Sequence, residues 1–330
     1  MTHLRAVALL AVWGGVVLLG APQQVLAAEY TVKLAYVAQP INPFHKAMEF
    51  FAQKVAEKSS GRMEVQLFHS SQLGGERDYV EGLQLGSLEM AAVATAVLGS
   101  FDKSINLFQL PFLFRSSTHL DHVVDGPIGR QVADKFPPLG IRILAFMDFG
   151  ARYLHNSKRM VRTPADMRGL KFRSMENPIS IETYQVLGAR AVPMARPEVY
   201  SALKQGVLDG LDNDLTFYES MGDYEVAKYT TMGVPIAQTA AALMISEKAF
   251  QRLPSELQKA VTQAAIEALP YERKIIREAE EETLKRLKAK GVVAESADSR
   301  PFEEAARPLW DKYADQVGGR QMIDAVLATK

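Results

Sequence analysis

From Tyr30 onward the chain switches between two hydrophobic periods. Apolar and polar residues alternate over Tyr30–Val37, which predicts a strand. Behind Asn42-Pro43, an N-cap followed by proline at the first helical position, Phe44, Ala47, Met48, Phe51 and Val55 recur at helical spacing until Gly61. Met63, Val65 and Leu67 then alternate with polar neighbours again. Strand, helix and strand in about forty residues predict a βαβ unit, a parallel pair joined by a right-handed crossover.

The rhythm continues with a helix over Arg77–Leu85, a strand over Leu88–Ala94, a helix beginning at Thr118 and a buried strand over Ile141–Met147. Near Gly150 it restarts with shorter strands, Arg152–His155 and Lys171–Arg173. Helices follow at Pro178–Leu187 and Pro197–Gln205, and Thr239–Ile245 reads as a return strand. The stretch from Ser255 to about Lys290 is a long helical pattern that Pro270 is expected to kink or divide. Its second half, from Glu272, carries the mixed charge of a solvated face.

The first residues break the rhythm. Arg5, the apolar run Ala6–Leu19 and the small residues of Val25-Leu-Ala27 make a cleavable export signal, with cleavage expected after Ala27. The apolar run is shorter than the roughly twenty residues needed to span a bilayer. The 330-residue chain has no cysteine, which excludes disulfides, thiol catalysis and Cys-based metal sites and suits an oxidising compartment. Without the signal, which contains one base and no acid, 37 bases face 38 acids. That balance offers no general field for nucleic acid or an anionic membrane, so any anion selectivity rests on a few local residues. The length predicts two domains, and no flexible linker separates them.

Local residues of that kind occur in order. Gly169-Leu-Lys-Phe-Arg173 puts a guanidinium at the carboxyl end of a short strand, where open α/β sheets bind ligands. Its planar fork matches a carboxylate and stays protonated. Forty residues on, Asp209-Gly-Leu-Asp-Asn213 puts an amide at the end of another strand. Together the two suit capture of a small carboxylate. Nothing nominates a nucleophile activated by a base: there is no Gly-x-Ser-x-Gly elbow and no His-Glu-x-x-His pair. His119 and His122 lie three apart on a predicted helix without an obvious third ligand, so no metal or other cofactor is expected.

Gln72-Leu-Gly74, Pro164–Arg173, Pro193-Met-Ala195 with Glu198-Val-Tyr200, and Asp209–Asn213 together resemble the DctP-type solute-binding proteins of TRAP (tripartite ATP-independent periplasmic) transporters. The resemblance runs from about Tyr30 past Gly291. It implies a two-domain α/β periplasmic binding fold of the class II type, joined by crossing strands and a long kinked helix. The expected division is a signal at 1–27, one domain of 28–150 plus about 238–270, and a second of 151–237 plus about 271–330. The resemblance also implies domain closure on a small organic acid, delivery to membrane permease subunits, and no enzymatic activity. A monomer is the default. A sensor-serving binding protein of the same fold and a periplasmic organic-acid enzyme are the alternatives.

Carried onto this sequence, the resemblance makes Arg173 the partner of the ligand carboxylate, Asn213 the orienting amide, Arg152 a second site arginine and Glu76 an acid near the ligand's far end. Two departures stand out. Pro193-Met-Ala is followed by Arg196 where relatives often have an aromatic, and Asp212-Asn213-Asp214 replaces a Glu-Asn pair. An unpaired Arg196 facing the cleft would call for an anionic or hydroxylated ligand end. Asp214 and Glu176 beside the site would instead repel a simple dianion. Tyr36, Phe149 and Tyr218 are candidate aromatic walls.

Overall fold

The computed structural model describes residues 28–330, so the expected export signal lies outside the described residues. Ten strands pair into one connected sheet: β1 (Tyr30–Ala35), β2 (Met63–Phe68), β3 (Met90–Ala94), β4 (Ile141–Asn156), β5 (Lys171–Ser174), β6 (Arg190–Pro193), β7 (Gly210–Asn213), β8 (Tyr229–Met232), β9 (Ala237–Ser246) and β10 (Val293–Ser296). The order is β2-β1-β3-β9-β4-β7-β5-β6, with β8 bridging β4 and β10. The predicted βαβ unit is present, its strands β1 and β2 parallel and Val32 beside Val65. A second parallel set, β6-β5-β7, forms the other lobe.

Both lobes hang on β4. Ile141–Met147 and Arg152–His155, expected as separate strands, are one strand of 16 residues. Its first part pairs antiparallel with β9 and its last residues with β7 and β8. The sequence hid this because residues 145–152 are buried without alternation. Gly150 interrupts the pattern for a different reason. Its φ of +79° sits where the register against β9 shifts between Asp148 and Ala151, and a Cβ there would lie 2.5 Å from Cβ of Asp214. Glycine supplies both the left-handed backbone and the close approach.

The long C-terminal pattern is likewise one element, an unbroken helix Ser255–Ala289 with Pro270 inside it. Proline removes one backbone donor and crowds the preceding turn at about 3 kcal/mol. Burial of Leu257, Val261, Ala264, Ala265, Ala268, Leu269 and Ile276 offsets that penalty. The solvated-face expectation fails at Glu272, which is fully buried. Its Oε2 accepts from the backbone N–H of Asp148 at 3.2 Å. Burial, reinforced by the Asp148 charge, pushes the Glu272 carboxyl well above the usual range. Arg277 bridges Asp148 and Asp121 from the same helix, tying it to the middle of β4.

Two asparagines connect the lobes while starting helices. Asn42 caps the Pro43–Lys58 helix, accepting from Phe44 N–H at 2.8 Å, and donates across the cleft to Ser220 Oγ at 3.0 Å. Asn177 caps the Pro178–Val186 helix through Ile179 N–H and donates across to Ala96 carbonyl at 2.9 Å and Asn106 Oδ1 at 2.7 Å. Gly99 lies against the second bridge: a Cβ there would stand 1.9 Å from Asn106 Oδ1 and 2.6 Å from Asn177 Nδ2. Gly99→Ala is therefore expected to cost roughly 1–3 kcal/mol by overpacking. Urea unfolding checks this, and an unchanged midpoint would mean that the bridge contributes nothing measurable.

Candidate functional site

The parallel strands β5, β6 and β7 end together, and their carboxyl ends present the charged residues. On β5, Phe172 is fully buried in the apolar core of its lobe, while its neighbour Arg173 points the opposite way with a relative exposure of 5%. Arg173 Nε donates to the Met194 carbonyl just beyond β6, at 2.9 Å. Among the described residues it forms no ion pair, although two other arginines are close enough to act on it. Burial, with repulsion from Arg152 and Arg196, pulls its pKa down to about 10. It remains charged at neutral pH, but at a cost.

The two neighbouring arginines do have acids. Arg152 on β4 pairs with Asp212 on β7 through Nε, and its Nη2 donates to the Asp212 carbonyl. The second Asp212 oxygen accepts from the Tyr184 hydroxyl. Burial pushes the Asp212 carboxyl up, and Arg152 more than reverses it. Arg152 Nη1 reaches Asn213 Oδ1 at 3.3 Å, so the Asn213 carbonyl is occupied and its NH₂ is the end left to donate. Arg196 turns inward and pairs with Asp223 at 2.6 Å, with side-chain exposures of 9% and 0%. The expectation that a ligand group would have to neutralise Arg196 is corrected, because Asp223 already does so.

Across the cleft, Glu76 opens the Glu76–Leu85 helix and accepts from Ala94 N–H at 2.7 Å. Burial raises its pKa against the pull of Arg173, Arg152 and Arg196, which puts it within the same electrostatic neighbourhood. Arg196 and Tyr200 share a groove with Val37, Gln39 and Ser71 of the opposite lobe. Arg152, Tyr184 and Asp212 share another with Gln109 and Pro111. The structure thus brings Arg173, Asn213, Arg152, Arg196 and Glu76 together.

The remaining candidates take other positions. Glu176 is exposed, one residue before the Asn177 cap. Asp214 caps the Leu215–Ser220 helix, with Oδ1 accepting from Thr216 and Phe217 N–H at 2.8 and 3.1 Å. The three aromatics are corrected from cleft walls to core. Tyr218 stacks on His155 with 3.7 Å between ring centroids and donates to the Ala227 carbonyl. Phe149 packs between Phe44 and Phe217, and Tyr36 is buried with its hydroxyl 2.6 Å from His45 Nδ1. Their local sequence is equally compatible with wall or core, which is why spacing did not separate the two.

Sequence reasoning missed Asp223, Tyr184 and His155. Asp223 lies in a short helical turn, Asp223–Glu225, without a recognisable pattern, and only the buried arginine opposite gives it meaning. His155 is one of two buried polar residues ending β4, a hint that was available. Its Nε2 lies 3.0 Å from the Asn213 carbonyl and its Nδ1 3.0 Å from Thr230 Oγ1. The carbonyl can only accept, so Nε2 carries the proton and Nδ1 accepts from threonine, leaving a neutral ring that holds the β7 end in place.

Fold and site together define a two-lobed binding protein with a buried cationic centre suited to an organic anion. The chain belongs to the DctP family, bacterial extracellular solute-binding protein family 7, whose model matches residues 34–316. It is 35% identical over 273 residues to a solute-binding protein of Verminephrobacter eiseniae, covering 82% of this chain and 81% of that one. Solved TRAP relatives share the fold. The sugar acid binding protein DctPAm of Advenella mimigardefordensis, in complex with galactonate, superposes with a TM-score of 0.87 at 30% identity, covering 91% of this chain and 97% of that one. A TRAP periplasmic solute-binding protein of Sulfurospirillum deleyianum with bound succinate gives 0.87 at 31%, covering 92% and 100%. Among the described residues no helix is long and apolar enough to cross a membrane.

The His155 ring gives a pH signature. Burial lowers its pKa to about 3, whereas the unfolded imidazole titrates near 6.5. Below about pH 6.5 the unfolded chain takes the proton first, so this stabilisation is complete above that pH and is lost as pH falls towards 3. Between pH 7 and 4.5 the expected loss is roughly 2–3 kcal/mol. Urea titrations of the wild type and His155→Gln should differ in pH slope by about that amount; equal slopes would remove the assignment.

Proposed function

We propose that this chain is the extracytoplasmic binding subunit of a TRAP transporter, which captures a small organic acid of the sugar-acid or dicarboxylate kind and delivers it to a membrane permease. One observation carries the reading: Arg173 is a buried guanidinium at the carboxyl end of β5 that, among the described residues, bonds to the Met194 carbonyl and forms no ion pair. A buried charge without a counterion is costly, and a ligand carboxylate meets that need with two parallel hydrogen bonds. Relatives with galactonate and with succinate support the same class of ligand.

In this reading Arg173 binds the carboxylate and the Asn213 NH₂ fixes its orientation. Arg152 holds Asn213 in place and is itself held by Asp212 and Tyr184. Glu76 and Arg196 face the ligand's far end, and Glu176 stands at the rim. Asp214, Tyr36, Phe149 and Tyr218 support the site from behind. The domains are 28–150 with about 238–270, and 151–237 with about 271–330, except that the last helix, Arg320–Ala328, returns to the first lobe, where Ile323 and Val326 join the apolar core and His119 Nε2 lies 2.9 Å from the Val326 carbonyl. Ligand contacts from both lobes favour the closed state, and only this difference in affinity drives closure. Met1–Ala27 serves as the export signal, placing the mature monomer in the periplasm. The ligand is returned unchanged.

A thermal-shift and calorimetric screen of Ala28–Lys330, refolded to remove carried-over ligand, tests the proposal. An organic acid should raise the melting temperature by several degrees at a hundred times its Kd, about 2.7 kcal/mol of stabilisation. Arg173→Ala should weaken that acid at least hundredfold. Arg173→Lys should weaken it at least tenfold, since a point charge cannot make the two-pronged contact. Retained affinity in Arg173→Ala, or stabilisation only by neutral or cationic solutes, would overturn the assignment.

A further inference from the structure

Solved relatives carry a singly charged acid, galactonate, and a doubly charged one, succinate. Of the three guanidiniums around the cleft, Arg152 is paired with Asp212 and Arg196 with Asp223, while Arg173 forms no ion pair among the described residues. The arrangement therefore has room for one ligand carboxylate. Around the Arg196–Asp223 pair the charges are already balanced or negative. Asp223 is fully buried, and Glu76 adds a further carboxyl within reach of the same arginines. A second ligand carboxylate there would meet Asp223 and Glu76 without an uncompensated cation.

Hydroxyl groups fit the same place. Arg196 lines the groove between the lobes with Gln39, Ser71 and Tyr200, so donors and acceptors are both at hand. Arg196 bonds to Asp223 through Nη2, and among the described residues Asp223 Oδ1 and Arg196 Nε are buried without a hydrogen-bond partner. Such a neutral but polar surface recognises hydroxyls through hydrogen bonds and rejects an added charge.

We infer that the Arg196–Asp223 pair is the specificity determinant of this cleft, selecting a polyhydroxy monocarboxylate and excluding the corresponding dicarboxylate. This rests on Arg173 as the carboxylate site. The test is calorimetry with matched pairs that differ only at the terminal carbon, D-erythronate against meso-tartrate and galactonate against galactarate, with succinate alongside. At least one monocarboxylate should bind a minimum of tenfold tighter than its dicarboxylate partner. Asp223→Asn, which leaves Arg196 uncompensated, should shift that ratio at least tenfold towards the dicarboxylate. If that variant fails to fold by circular dichroism, Glu76→Gln, which removes the other carboxyl facing Arg196, provides the second arm, and the ratio should again fall.

Equal or tighter binding of the dicarboxylates by the wild type overturns the inference, as does an unchanged ratio in a folded variant. So does binding of succinate with none of the hydroxy acids, although that result would leave Arg173 as a carboxylate site intact. Failure of every acid, or binding that survives Arg173→Ala, would bring down the underlying reading instead.

Discussion

Arginine cannot escape burial by losing its proton, and this protein buries three of them around one cleft. Everything nearby answers that constraint. Asp212 and Asp223 are each committed to one guanidinium, and Tyr184 steadies Asp212 from behind. Arg173 is left with a backbone carbonyl. A dipole at 2.9 Å fixes its direction without cancelling its charge, as the proposed capture of an external anion requires. An acid paired with Arg173 would relieve the burial penalty and compete with the proposed ligand.

The charge centre is held by the element that also connects the lobes. Arg152 and His155 sit three residues apart on β4, one bonded to the Asn213 side chain and the other to its backbone carbonyl. A few residues earlier, Asp148 and Gly150 mark the register shift where β4 meets the buried Glu272 of the long helix. Motion at the crossover and geometry at the site therefore share a single strand. Asn213 is tied to that strand by two direct hydrogen bonds, one to its side chain and one to its backbone.

The sequence was most legible where local chemistry and position coincided. Asn42-Pro43 announced its helix, and Arg173 could be placed at a strand's end because the apolar alternation ran up to it. The strand β4 was read as two pieces because burial on both faces erases periodicity and because Gly150 mimics a turn. Pro270 was read as a kink or a division, and the helix is undivided because the proline's penalty is local while the packing that offsets it comes from distant residues. Asp223 was invisible for the same reason: its role exists only in relation to Arg196, 27 positions earlier in the chain. Pairwise burial is a property of the fold, so spacing alone could suggest that Arg196 lacked a partner but could not supply one.

The two capping asparagines give the cleft a digital character. In each, the carbonyl oxygen is engaged by its own helix, so the direction of the NH₂ group is settled before the other lobe arrives. Closure to the right angle gives both amides an acceptor, whereas an intermediate angle would strip them of water and offer nothing in return. Half-closed arrangements are thereby disfavoured on both flanks at once. The closed shape of the cleft thus rests on a yes-or-no condition set by two carboxamides far apart in the chain.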